Sequence, residues 1–171
     1  MKQHHNAHAR AHAHSLARAL ALALAHAARA TCFAVAAVLS FSAHAQNDAL
    51  AKAAAEKGAV VTASGLVYRN LKEGTGAAPL ASDTVRVHYR GPFTDGKEFD
   101  SSHKRGEPAS FAVNRVIKCW TEGLQLMKVG GKAQLSCPAA IAYGERGTPG
   151  GPIPPNSVLQ FEVELLAISP R

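Results

Sequence analysis

The histidines and glycine-rich motifs are the first places to look for chemistry in this chain, and they exclude several reaction classes. Seven of the nine histidines lie within residues 1–45, which leaves His88 and His103. Neither has a cysteine or histidine at metal-ligand spacing. The stretch GERGTPGG lacks the lysine and following helix of a phosphate-binding loop, and no G-x-S-x-G motif occurs. We therefore expect no metal site, no cofactor and no hydrolytic nucleophile.

Residues 1–45 have the layout of a secretory signal peptide with a long leader. They contain four Lys/Arg residues and no acid, then an apolar stretch from Ala30 to Phe41 and the small-residue site AHA ending at Ala45. About a dozen apolar residues are too few for a bilayer core, which needs roughly 20. The pattern predicts export without a membrane anchor. Either translation starts downstream, or the leader is a tolerated extension.

The leader also contributes most of the histidines and much of the net positive charge of the chain. Its histidine tract can be interpreted as a metal-binding segment or as low-complexity sequence discarded with the signal, and we favour the second. The tract consists of His4, His5, His8, His12 and His14. Removing four of the nineteen basic residues leaves fifteen against twelve acids in residues 46–171, with no basic stripe. We expect no nucleic-acid partner.

The remaining chain has the length of one domain and a pattern of one-sided strands. In TVRVHYRG the apolar Val85, Val87 and Tyr89 alternate with polar residues, and GKAQLSC and VLQFEVELLAI repeat the alternation. LVYRNL and ASFAV add two more candidate strands, and Asp95-Gly96 is a hairpin-turn signal. These five segments predict an antiparallel sheet with one solvated face.

One segment of this domain has helical spacing. Trp120, Leu124 and Met127 fall at i, i+4 and i+7, and Gly130-Gly131 close the segment. Its apolar stripe needs the concave face of a curved sheet, so the predicted class is α+β, a sheet wrapped around one helix. Residues 46–63 are Ala-rich and predict a frayed short helix or tail.

Four blocks then carry a resemblance to FKBP-type peptidyl-prolyl cis-trans isomerases, in particular to short bacterial periplasmic members. They are VHYRGPFTDGKEFDSS (87–102), VIKCWTEGLQLMKVGGKAQL (116–135), AYGERG (142–147) and IPPNSVLQFEVELL (153–166). The resemblance implies a five-stranded antiparallel half-barrel wrapped around one short helix. It divides the chain into a signal peptide (1–45), a short N-terminal segment (46–63) and an isomerase domain (64–171).

The resemblance also implies an activity, partners and a site. The substrates are proline-containing polypeptides, macrolide inhibitors are candidate ligands, and we expect a periplasmic monomer with no membrane contact after signal removal. The residues that match the family's catalytic positions are Tyr89, Asp100 and Tyr143. Those that match its substrate-binding positions are Phe99, Phe111, Val116, Ile117, Trp120, Ile153 and Phe161.

Each assigned role has a plainer alternative. Trp120 is the pocket floor by resemblance, whereas a lone buried tryptophan is an ordinary core anchor. Asp100 orients Tyr89 or polarises the site, whereas FDSS is also good helix-capping chemistry. The Tyr143 hydroxyl and the Ile117 N–H are the expected donors to substrate carbonyls. A holdase chaperone that uses the same groove with little isomerase activity is the alternative function.

Departures from the family pattern concern one strand residue, one loop and two cysteines. Ala109 replaces a common aromatic residue, and the segment ERGTPGGPIPPN is one residue longer than the compact form. Cys119 and Cys137 stand where the family often has glycine and an aliphatic residue. In an oxidising compartment they are expected to form a structural disulfide worth about 3 kcal/mol, with two separate buried thiols as the alternative.

Overall fold

A computed structural model of the chain describes residues 47–170. The predicted signal peptide, its cleavage site at Ala45 and the histidine tract lie outside the described residues. The described chain opens in a helix, α1, that ends at residue 54 and buries Ala53. Within residues 47–170, none of the helices combines the length and apolar character needed to cross a membrane.

Within the described part of the chain, seven strands form one sheet in which every neighbouring pair is antiparallel. Along the path the order is β1-β2-β6-β7-β3-β4, and β5 also pairs with β3. The strands are β1 (Ala59–Val61), β2 (Val67–Lys72), β3 (Thr84–Pro92), β4 (Glu98–Ser101), β5 (Ala109–Ala112), β6 (Lys132–Cys137) and β7 (Leu159–Ser169). The predicted α+β class is confirmed, and the five expected strands correspond to β2, β3, β5, β6 and β7.

The two additional strands show no alternation of apolar and polar residues. The strand β1 consists of three apolar residues, and Phe99 is the one apolar residue among the four of β4. Backbone pairing with a neighbouring strand makes these segments strands, because β1 pairs with β2 and β4 pairs with β3. The strand β1 lies upstream of residue 64, where the domain was expected to begin.

The predicted turn at Asp95-Gly96 is confirmed and joins β3 to β4. The Phe93 N–H donates to the Lys97 carbonyl at 2.8 Å, and the Lys97 N–H donates to Asp95 Oδ1 at 2.9 Å. Gly96 has φ +85°, a left-handed conformation that glycine adopts without a Cβ clash. The turn folds β4 back beside β3.

The predicted helix is also confirmed. It is α3 (Lys118–Gln125), and Trp120 and Leu124 are buried on one side of it. Met127 lies beyond the last helical residue and is still buried, because the chain turns there with a 3.1 Å hydrogen bond from the Met127 N–H to the Leu124 carbonyl. A Cβ on Gly123 would lie 2.7 Å from Leu135 Cδ2, so α3 packs closely on β6.

The core lies between α3 and one face of the sheet. Inward residues of β3, β6 and β7 are fully buried, including Val85, Leu135 and Val163. On the other face, Glu162 accepts ion pairs from both Arg90 and Lys132. The predicted division into an apolar face and a solvated face therefore holds.

A second short helix, α2 (Ser102–Arg105), follows β4 directly.

Candidate active site

A cleft of about 650 Å³ opens among the sheet, the start of α3 and the loop before β7. All ten residues assigned from the sequence line it. Those on strands or in α3 are Tyr89, Phe99, Asp100, Phe111, Trp120 and Phe161, and those on loops are Val116, Ile117, Tyr143 and Ile153. Sequence reasoning left out the other three lining residues, Arg115, Thr148 and Pro152.

Trp120 forms the base of an aromatic cluster. Its ring centroid lies 5.2 Å from that of Tyr89, 5.5 Å from that of Phe111 and 5.3 Å from that of Phe161, each with near-perpendicular planes. Edge-to-face contacts of this kind are favourable for aromatic rings. Trp120 is 4% exposed, so the same side chain lines the cleft and belongs to the core. Its Nε1–H has no hydrogen-bond acceptor among the described residues.

Phe99 reaches the cleft because β3 has a glycine beneath it. Its ring packs edge-on against Phe161 at 5.5 Å and tilts against Phe93 at 4.8 Å. A Cβ on Gly91 would lie 2.6 Å from Phe99 Cζ. Gly91 therefore makes room for the aromatic wall, a role that its position in an alternating strand did not reveal.

Tyr89, Asp100 and Arg105 form a hydrogen-bonded triangle beside the cleft. The Tyr89 hydroxyl donates to Asp100 Oδ2 at 2.5 Å. Arg105 donates from Nη1 to Asp100 Oδ1 at 2.6 Å and from Nη2 to the Tyr89 hydroxyl at 2.9 Å. Sequence reasoning missed Arg105, and the available signal was a cation placed five residues after Asp100.

The triangle shifts the pKa values of Asp100 and Tyr89 in opposite directions. Burial raises the pKa of Asp100, but the hydrogen bonds from Tyr89 and Arg105 outweigh it, so that this pKa lies below its ordinary value of 3.8. Burial and the hydrogen bond to Asp100 raise the pKa of Tyr89 above 10.0, although Arg105 opposes the shift. At neutral pH Asp100 is ionised and Tyr89 is protonated. The lowered pKa makes Asp100 a weaker base, and the raised pKa makes Tyr89 a weaker acid.

The helix-cap interpretation of Asp100 is not what the structure contains. Asp100 belongs to β4, and Ser101 is the residue that precedes α2, with no side-chain capping bond. Asp100 Oδ1 instead accepts the N–H of Ser101 at 2.8 Å. The acid is therefore tied to its own strand and to Arg105 in α2.

Ser102 holds the backbone of Tyr89. Its buried Oγ accepts the Tyr89 N–H at 2.8 Å and lies 3.2 Å from the Tyr89 carbonyl, to which it can donate. The same oxygen lies 3.0 Å from His88 Nδ1, and the His88 ring stacks on that of His103 at 4.6 Å. The short segment 100–105 thus forms hydrogen bonds with both the backbone and the hydroxyl of Tyr89.

The two expected donors, Ile117 and Tyr143, lie on different loops that line the cleft. The Ile117 carbonyl accepts the N–H groups of Trp120 and Thr121 at 2.9 and 3.0 Å and so starts α3. The Ile117 N–H has no backbone acceptor among the described residues. Tyr143 is 40% exposed and precedes a 3-10 turn at Gly144–Arg146.

The longer loop is closed on itself. The Thr148 N–H donates to the Ile153 carbonyl at 2.9 Å, and the Ile153 N–H donates to Thr148 Oγ1 at 3.0 Å. Gly147 has φ +58°, and a Cβ there would lie 2.3 Å from the Ile153 oxygen. These contacts place Thr148, Pro152 and Ile153 on the cleft. Ala109 of β5 pairs with Val87 of β3 and is not among the residues that line the cleft.

Cys119 and Cys137 are joined by a disulfide between α3 and the end of β6. Their Cα atoms lie 5.9 Å apart, and both residues are fully buried. The bond holds the residue that directly precedes Trp120.

The sequence and the fold correspond to a known enzyme family. Residues 76–166, more than half of the chain, match the family model of the FKBP-type peptidyl-prolyl cis-trans isomerases. The chain belongs to this family.

Individual relatives and solved structures agree with this assignment. The chain is 56% identical over 122 residues to the FKBP-type peptidyl-prolyl cis-trans isomerase FkpA of Aeromonas hydrophila, covering 71% of this chain and 45% of that protein. The crystal structure of FkpA from Escherichia coli is similar with a TM-score of 0.67 and 47% identity, covering 82% of this chain and 70% of that one. A Pseudomonas syringae pv. tomato isomerase structure has a TM-score of 0.68 and 39% identity, covering 74% and 92%. The chain thus spans less than half the length of the Aeromonas relative.

Proposed function

We propose that this chain is a peptidyl-prolyl cis-trans isomerase that accelerates rotation about X-Pro bonds in unfolded or folding polypeptides. The observation that carries the proposal is the convergence of ten family-matched side chains on one largely apolar cleft with Trp120 at its base. The FKBP-type relatives favour this function over the holdase alternative.

The chemistry requires no nucleophile. An X-Pro bond has a rotation barrier of about 18–20 kcal/mol, because amide resonance resists twisting. A twisted amide has lost that resonance and its charge separation, so an apolar, water-poor site favours it over the planar form. The aromatic rings around Trp120 would hold the proline ring in such a site.

Polar groups would position the peptide on either side of the proline. The Ile117 N–H would donate to one substrate carbonyl, and the Tyr143 hydroxyl would donate to another. The triangle of Tyr89, Asp100 and Arg105 would keep the Tyr89 ring upright as a wall. In this proposal Asp100 acts as an orienting anion and transfers no proton.

The cellular setting is also a proposal. The sequence of residues 1–45 supports export to the periplasm, followed by a short segment (46–63) and the isomerase domain (64–171). We propose a monomer that acts on proline-containing segments of exported proteins. Macrolides are candidate inhibitors, since they would occupy the same apolar cleft, and the Cys119–Cys137 bond would suit an oxidising compartment.

The test is cis-trans exchange NMR on short X-Pro peptides with the folded protein and two matched tyrosine variants. Tyr143→Phe removes one proposed donor from the cleft, and we expect kcat/KM to fall about 2- to 10-fold, the worth of one hydrogen bond. Tyr68→Phe is the control, because Tyr68 is not among the residues that line the cleft. Its hydroxyl donates to the Leu126 carbonyl at 3.4 Å. No acceleration by the folded wild-type protein would refute the isomerase and leave the holdase.

A further inference from the structure

The charges that line the cleft do not balance. Two ionic side chains, Asp100 and Arg115, are among its lining residues. Asp100 is neutralised by Arg105, 2.6 Å away. Arg115 takes part in none of the ion pairs among residues 47–170. A peptide that enters the cleft therefore meets one uncompensated positive charge.

The backbone that carries this charge is held firmly although the side chain is exposed. Arg115 ends a 3-10 turn at Val113–Arg115, in which Val113 is fully buried. The Val113 N–H donates to the Asp83 carbonyl at 3.0 Å, and the Val113 carbonyl accepts Thr121 Oγ1 at 2.7 Å. Both hydrogen bonds hold Val113, the first residue of the turn, and so keep the Arg115 backbone at the rim of the cleft, next to Val116 and Ile117.

The surrounding rim reinforces the sign. Two chain segments that contribute lining residues to the cleft, 113–118 and 143–148, carry three basic side chains and one acid. These are Arg115, Lys118, Arg146 and Glu145. None of the four belongs to an ion pair among the described residues. These two segments therefore carry a net positive charge that favours anions. Of their three basic residues, Arg115 is the one that lines the cleft.

We propose that Arg115 is a specificity-determining residue that favours proline segments carrying a carboxylate close to the proline. The inference rests on the proposed isomerase function and names its preferred substrate class. Guanidinium and carboxylate groups form strong paired hydrogen bonds. At an exposed rim such a pair changes affinity by about 1.5- to 5-fold, because water and salt screen it.

The test compares N-acetylated, C-amidated peptides that carry Glu, Gln or Lys at the positions on either side of the proline. Exchange NMR gives kcat/KM for the folded wild-type protein and its variants. We expect the Glu peptide to exceed the Lys peptide by about 1.5- to 5-fold at one or more positions. The preference should shrink when the ionic strength rises from about 0.05 M to about 0.5 M.

Three variants separate Arg115 from the overall charge. Arg115→Gln should abolish the preference, and Arg115→Glu should reverse it. Arg86→Gln removes the same charge from an exposed position on β3 outside the cleft and should keep the preference. Equal rates for the Glu and Lys peptides, or a preference that survives Arg115→Gln, would overturn the inference. A Gln peptide that is not accelerated at all would instead overturn the proposed function.

Discussion

The Tyr89 hydroxyl on β3 donates a 2.5 Å hydrogen bond to Asp100 Oδ2 on β4, and Arg105 bridges the two groups. The hydrogen bond joins two strands at the wall of the cleft. Arg105 also neutralises Asp100, the only acid among the lining residues. The ion pair of Asp100 and Arg105 therefore orients the Tyr89 ring, while the cleft itself remains largely apolar.

This relationship predicts a pH dependence of stability. Because the pKa of Asp100 is lower in the folded chain than its ordinary value of 3.8, its stabilising contribution is present above that value. The contribution is lost as the pH falls through the folded pKa. We expect the difference in unfolding free energy between wild type and Asp100→Asn to be constant near neutral pH and to shrink below about pH 4. Urea titrations at several pH values measure it, and a difference that grows on acidification would contradict the triangle.

Replacing Trp120 distinguishes a pocket floor from a core anchor. Trp120→Phe keeps an aromatic ring and removes a buried N–H that has no acceptor among the described residues, so we expect it to cost less than about 2 kcal/mol. We expect kcat/KM to fall about tenfold, because the proline ring loses a fitted apolar surface.

The control is Leu124→Ala, on the same helix but outside the cleft lining. It should cost about 2–5 kcal/mol of stability and leave kcat/KM unchanged at low temperature. If the two variants lost activity in proportion to stability, Trp120 would be a core residue alone.

The disulfide predicts a redox-dependent stability. Replacing both Cys119 and Cys137 with alanine should lower the unfolding free energy by about 3 kcal/mol, because the bond closes a loop between residues 18 positions apart. Adding a reductant should bring the wild-type protein close to the variant. Thiol counting on the denatured, unreduced protein is the direct check, and two reactive thiols would exclude the bond.

The loop that carries Ile153 depends on one glycine. Gly147→Ala should be destabilising, because the residue has φ +58° and a new Cβ would lie 2.3 Å from a backbone oxygen. Gly150→Ala is the matched control, with φ +72° and no atom within 4 Å of the new Cβ. We expect the control to lower the unfolding free energy by about 1 kcal/mol, from backbone strain alone. Gly147→Ala should lower it by at least about 2 kcal/mol more. Equal thermal denaturation midpoints would show that the loop can move away.

Several elements could be predicted because their signals are local. The alternation of Val85, Val87 and Tyr89 follows from the two-residue period of a strand, and the spacing of Trp120 and Leu124 follows from the helix period. The Asp95-Gly96 turn needs a residue that tolerates positive φ, and glycine provides it. The strands β1 and β4 escaped prediction because neither alternates apolar with polar residues, β1 being wholly apolar and β4 having one apolar residue.

By itself the sequence determined the α+β class, the positions of the main strands and α3, and the family-matched residues of the cleft, since each depends on residue types at short or characteristic spacing. Only the tertiary structure decided which groups surround those residues. Arg105 and Ser102 meet Tyr89 because β4 folds back on β3, and Thr148 reaches Ile153 because their loop closes on itself. Such contacts join residues whose separation follows no helix or strand period, and therefore no local pattern records them.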